Sequence, residues 1–197
     1  RMDVFNELSD NTSLLKNTYD IVSGRLPELK EEVVLIVDSY GEISDYALYA
    51  IGLKDQQELT EMTGKIMKGE KLEEPKQTSY TYDELIGTEF KLVLNTDYYK
   101  KQGSVWVDKS ADTNHMKEII DNGLTLKVVG IIKPNAESSN QTSGEVGYTK
   151  ELTEYVITNI RESEIAKEQL ANKDKSVLTN SAFTPLYTHE VALSSLG

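Results

Sequence analysis

The run KVVGIIKP, residues 127 to 134, is apolar from Val128 to Ile132 except at Gly130. Strand side chains alternate between the two faces of a sheet, so a run without polar alternation belongs to a strand covered on both faces. It reads as a central strand, running from Leu124 to Ile132 and ending before Pro134, whose missing N–H could not join a ladder. Further strands are read from the β-branched runs Val33 to Val37, Phe90 to Leu94 and Val105 to Val107.

Helices carry their own boundary signals. Ser44 can cap a short helix through Ile51 with Gly52 beyond it, and Asp112 can cap Thr113 to Asn122, where Met116, Ile119 and Ile120 form one stripe. Asp55 to Lys68 is a weaker pattern, and Gly64 within it costs about 1 kcal/mol relative to alanine. The longest pattern spans Thr149 to about Ala171, with Leu152, Tyr155, Val156 and Ile160 on one face and Glu151 and Glu154 near its positive end. Gly69 to Ser79 and Pro134 to Glu145 are polar connectors. These elements predict an α+β fold, a mixed and mostly antiparallel sheet with packed helices. Along the chain the expected division is a β-rich core at 1–135, a linker at 136–148, and a long return helix with a C-terminal segment at 149–197.

Charge narrows the partners. Acidic residues outnumber basic ones by 33 to 21, and the formal net charge of −12 repels phosphate backbones, so no nucleic-acid partner is expected. The absence of cysteine removes disulfides, thiolate metal sites and cysteine nucleophiles. No window approaches the roughly 20 apolar residues of a membrane-spanning helix, and the first residues lack the regions of a signal peptide.

No motif points to catalysis, a metal or a cofactor, and the chain is read as noncatalytic. DKSADTNH places Asp108, Ser110, Asp112 and Asn114 as a calcium loop would, yet the positions that need glycine and a bidentate glutamate hold Thr113 and Ile119. His115 and His189 have no ligand-spaced neighbour, and no serine sits in a nucleophile elbow. Glycines form neither dinucleotide nor phosphate-binding fingerprints. Glu31 and Glu32, like Glu73 and Glu74, are adjacent in sequence and read as solvated carboxylates pointing apart. The 11 tyrosines against 3 phenylalanines leave two readings open: packing at the core and rim, or contact with a peptide or glycan by Tyr46, Tyr49, Tyr80, Tyr82, Tyr98 and Tyr99.

The stretch SGRLPELKEEVVLIVDS punctuates the entry to a strand. Gly24 permits backbone angles closed to other residues and Pro27 fixes φ, so Gly24, Arg25 and Pro27 form a structural turn. Arg25 either pairs with Asp20 or Glu28 or contacts a partner. With YALYAIGL, ELIGTEFKLVL and LKVVGIIKP following in order, this G-R-x-P…E-V-V-L pattern resembles the MacB-like extracytoplasmic core domains of FtsX-type ABC transporter permeases. The segment EVGYTKELTEYVITNIRESEIAKEQL is similar to the return helix of their Gram-positive branch. The resemblance implies a Sabre-like subdomain with part of a Porter-like one, lying outside the bacterial cell membrane between transmembrane helices of a permease. It further implies coupling to a cytoplasmic ATP-binding subunit, pairing as a homodimer in the full transporter, and a peptide or protein substrate. The alternative from the residues alone is a free-standing peptide- or glycan-binding module.

Overall fold

The computed structural model describes residues 4–71, 79–136 and 145–182, the side chains of Gln56 and Leu59 aside. The strands among them are β1 Phe5–Glu7, β2 Tyr19–Gly24, β3 Glu32–Ile36, β4 Glu89–Leu92, β5 Tyr99–Gln102, β6 Val105–Asp108, β7 Leu124–Pro134 and β8 Val146–Tyr148. The helices are α1 Thr12–Thr18, α2 Asp45–Ala50, α3 Gln56–Met67, α4 Tyr82–Leu85, α5 Thr113–Asp121, α6 Lys150–Glu162 and α7 Glu164–Ala171, and a 3-10 turn covers Asn95–Tyr98. The class is α+β, as the sequence pattern predicts.

The chain divides into two compact units, Arg1–Leu92 with Leu124–Tyr155, and Val93–Gly123 with Val156–Gly197. The expected division at 136–148 follows chain order, whereas membership is decided by strand pairing. Residues 146–148, expected in the linker, form β8, which pairs with both β1 and β3. The rest of that linker between 137 and 144, and the C-terminal residues from 183 onward, lie outside the described residues.

In the first unit the sheet order is β1-β8-β3-β7-β2, with β4 also paired to β7. β1 with β8 and β3 with β7 are parallel, and the other pairings are antiparallel. β7 lies inside the sheet, paired with β3, β2 and β4, as its two-faced apolar run requires. Val33, Val34, Leu35, Val128, Ile131 and Ile132 are fully buried. Leu8, Tyr19, Val34, Ile36 and Ile132 form one core cluster, with Leu15, Leu26 and Val129 packed against it.

β7 carries a bulge. Lys127 N donates to Glu31 O at 2.8 Å, Val128 N donates to Thr88 O at 2.9 Å, and Val129 O accepts from Arg25 N at 3.1 Å. Val128 and Val129 therefore both turn their backbone away from β3, and the register jumps from Val33 opposite Val128 to Val34 opposite Gly130.

β7 continues through Pro134, beyond the expected stop before it. The ladder explains why. Asn135 N donates to Thr18 O at 2.8 Å and Val37 N donates to Ile132 O at 2.9 Å. Alternation then aims the Pro134 nitrogen toward the β3 side, past the end of β3 at Ile36, where no bond is forfeited.

In the second unit, β5 and β6 form a hairpin turning at Gly103, whose φ of 62° is open to glycine. Trp106, Ile165 and Val177 make its core, with Tyr99 packed against them. β4 ends at Leu92 rather than Leu94, because Leu94 N donates to Asp97 Oδ2 at 3.0 Å and opens the 3-10 turn.

The single long helix expected from Thr149 to Ala171 is two helices. Ser163, at φ −63° and ψ 144°, accepts from Ala166 N at 3.3 Å and donates to Ile160 O at 2.6 Å, ending one helix and capping the next. Ser44 and Asp112 cap α2 and α5 as predicted, accepting from Ala47 N at 3.3 Å and His115 N at 3.0 Å.

Candidate functional site

The turn residues and the β7 bulge meet in one place. Gly24 has φ 68°, and it lies opposite Gly130 in the β2–β7 ladder. Because Arg25 N bonds Val129 O, the Gly24–Gly130 pair falls at a position without ladder bonds, where antiparallel backbones approach closest. A Cβ on Gly24 would lie 2.2 Å from Val129 O, and one on Gly130 would lie 2.1 Å from Arg25 O. Only glycine fits at either position. An isolated glycine inside an apolar strand signals such an approach, although its partner cannot be read from the sequence.

Arg25 closes the turn onto Glu32 rather than onto Asp20 or Glu28. Its Nη1 donates to Glu32 Oε2 at 2.7 Å and its Nη2 to Oε1 at 2.5 Å, a bidentate pair. Glu28 N, at 2.8 Å, and Leu29 N, at 3.3 Å, donate to the same carboxylate. Asp20 instead stands opposite Lys133 in the ladder, and Glu28 acts on Arg25 only through its charge. Glu32 is therefore buried, 8% exposed, and not the solvated carboxylate expected. Its hydrogen bonds from Arg25, then those from the Glu28 and Leu29 backbone, outweigh burial and hold its pKa well below 4.5, at about 2. Glu31 is the outward member, pairing with Lys30 at 2.5 Å. Glu73 and Glu74 lie outside the described residues.

This turn walls a cleft of about 460 Å³. Leu8, Leu15, Ile21, Leu26 and Pro27 supply its apolar lining, and Asp10, Lys16, Arg25, Glu28, Lys150 and Glu151 its charges. Lys150 Nζ lies 3.6 Å from Asp10 Oδ2, and the Thr149 hydroxyl accepts from Leu152 N at 3.3 Å where α6 begins. An apolar cavity bordered by paired charges of both signs suits recognition of a chain segment.

The six candidate tyrosines do not share one surface feature. Tyr46, Tyr49, Tyr80 and Tyr82 belong to the first unit, and Tyr98 and Tyr99 to the second. Tyr82 donates its hydroxyl to Gly41 O at 2.6 Å and Tyr80 to Leu53 O at 3.3 Å, so both tie loops together. Tyr49 is buried, with the Lys54 ammonium 5.8 Å from its ring centre. Tyr98 is half-buried, and Tyr99 packs into the second core. Tyr46 is 43% exposed and is the one of the six left with a largely open ring.

His115 is half-buried, its Nε2 2.8 Å from Asp97 O; His189 lies outside the described residues. Asp108 Oδ1 accepts from Ser110 N at 2.8 Å, a local turn bond. Among the described residues, no group of three metal-ligating side chains converges, and no helix is long and apolar enough to cross a membrane. No protein-family model, curated protein or solved structure significantly matches the chain.

Proposed function

We propose that this chain is the noncatalytic extracytoplasmic domain of a bacterial ABC transporter permease of the MacB-like, FtsX-type class. In this reading it engages a peptide or protein substrate, or a partner protein, outside the membrane. It moves with ATP hydrolysis by a cytoplasmic subunit, and the full transporter pairs two such domains.

One observation carries the reading. The motifs that make the resemblance are separated in sequence yet converge on the β7 bulge. Arg25 of G-R-L-P grips Glu32 of E-V-V-L, and Gly24 packs on Gly130 of K-V-V-G-I-I. Gly87 of the I-G pair donates from its N to Val128 O at 2.8 Å, and Ile86 Cδ1 comes within 3.1 Å of where a Gly24 Cβ would stand. Motifs that interlock form a structural module, and such a module supports kinship where each motif alone is a weak signal. It also gives a close-packed junction of three strands, and close-packed interiors transmit strain.

The test is made on the complete gene product. Its reading frame should carry apolar segments of about 20 residues flanking this region, and a tagged full-length protein should stay in membranes through alkaline carbonate. Protease added to intact cells stripped of their wall should cleave this domain. Carbonate extraction of the full-length protein, or protection of the domain from external protease, overturns the reading. A free-standing module that binds through its tyrosines is the weaker alternative, because the hydroxyls of Tyr80 and Tyr82 are engaged with backbone carbonyls.

A further inference from the structure

From the edge strand β2 and the cleft beside it, we infer that the first unit takes up an extended, net-basic peptide segment of another protein as an added strand. This stands on the unit's own geometry and does not depend on the membrane context.

Among the described residues, β2 pairs with β7 on one side only. The bond from Asn135 N to Thr18 O fixes the alternation: Asp20 turns its backbone toward β7, and Ile21 turns its N–H and C=O outward along the free edge. Ile21 and Val22 are 45% and 42% exposed, so this edge presents aliphatic side chains on consecutive residues. The other outer strands are blunted, β1 by its length of three residues and β4 by the exposed charges of Glu89 and Lys91. Ile21 also lines the 460 Å³ cleft, so a strand laid on β2 finds a pocket for an apolar side chain beside its main-chain bonds. That combination is how sheet edges recognise peptides, with affinity from the backbone and selectivity from a pocket.

Charge selects the occupant. Lys150 is paired with Asp10 and Arg25 with Glu32, leaving Glu28 and Glu151 against Lys16 around the cleft. The chain's formal charge of −12 attracts a basic strand and repels a second copy bearing the same charge.

The probe is the acetylated, amidated hexapeptide Lys-Val-Lys-Val-Lys-Val, titrated into the whole 197-residue chain by calorimetry and by amide NMR. The expected result is saturable binding, shifts centred on β2 and the cleft, and slowed exchange of the Ile21 amide. Binding should weaken at least about tenfold with the Glu-Val counterpart, and vanish when alternate peptide nitrogens are methylated. Val22→Lys, at an exposed residue where the β2 register shifts, should weaken binding while leaving the circular dichroism spectrum unchanged. The inference is overturned by no binding, by equal binding of the methylated or acidic peptide, or by shifts remote from β2. Sedimentation showing that the chain dimerises through β2 assigns the edge to a second copy and overturns it equally.

Discussion

Replacing Glu32 with glutamine keeps the size of the side chain and removes the charge that the turn is built to receive. The carboxylate accepts from both terminal guanidinium nitrogens of Arg25 and from the N–H groups of Glu28 and Leu29. The pKa falls from 4.5 to about 2. At about 1.36 kcal/mol per pKa unit, that fall sets a ceiling of about 3 kcal/mol. The side chain of Arg25 is 50% exposed, and solvent screening lowers the expected loss on Glu32→Gln to about 2 kcal/mol at pH 7.

The sign with pH follows from the depressed value. A carboxylate held below its unfolded pKa contributes stability that is complete above about pH 4.5 and disappears as pH falls toward 2. The gap between wild type and Glu32→Gln should therefore close across that window. Urea unfolding is followed by far-ultraviolet circular dichroism at pH 7, 4 and 2.5, because the single tryptophan, Trp106, belongs to the other unit. A gap as wide at pH 2.5 as at pH 7, or none at pH 7, would refute the charge-based account of the turn.

Gly130→Ala should destabilise the first unit by more than about 3 kcal/mol or prevent its folding, since the new Cβ meets Arg25 O at 2.1 Å and β7 is held on both sides; urea midpoints or soluble yield decide it. Tyr82→Phe removes the 2.6 Å bond to Gly41 O and should cost about 1 kcal/mol by the same unfolding assay, whereas an unchanged midpoint would mean water replaces that bond freely. Trp106 Nε1 donates to Glu168 Oε2 at 2.8 Å, and Lys101, then Trp106, hold that carboxyl below its ordinary 4.5. Tryptophan emission should accordingly titrate below pH 4.5 and lose that transition in Glu168→Gln, and a transition surviving the substitution rules out this carboxyl as its source.

Residues close in sequence determined the local features. Val128 to Ile132 reads as a two-faced strand, and Val33 to Val37 as a further strand, because continuous apolar runs have no solvated side, and all of these residues but the half-buried Val129 are buried. Ser44 and Asp112 start helices because their side chains reach N–H groups three residues on, a distance the sequence displays. Gly24, Arg25 and Pro27 were legible as a shaped turn for the same reason.

Tertiary structure alone decided the partners. Arg25 selects Glu32 over the nearer Glu28 because β3 carries Glu32 back beside the turn, and Gly130 is obligatory only because the Arg25 backbone crosses it. Pro134 stays in its strand because β3 has already ended, and residues 146–148 join the sheet because β1 and β3 are there to pair with them. Hydrogen bonds and close packing act over a few ångströms in space with no regard for distance along the chain. A sequence therefore announces which groups need partners, and the folded backbone assigns them.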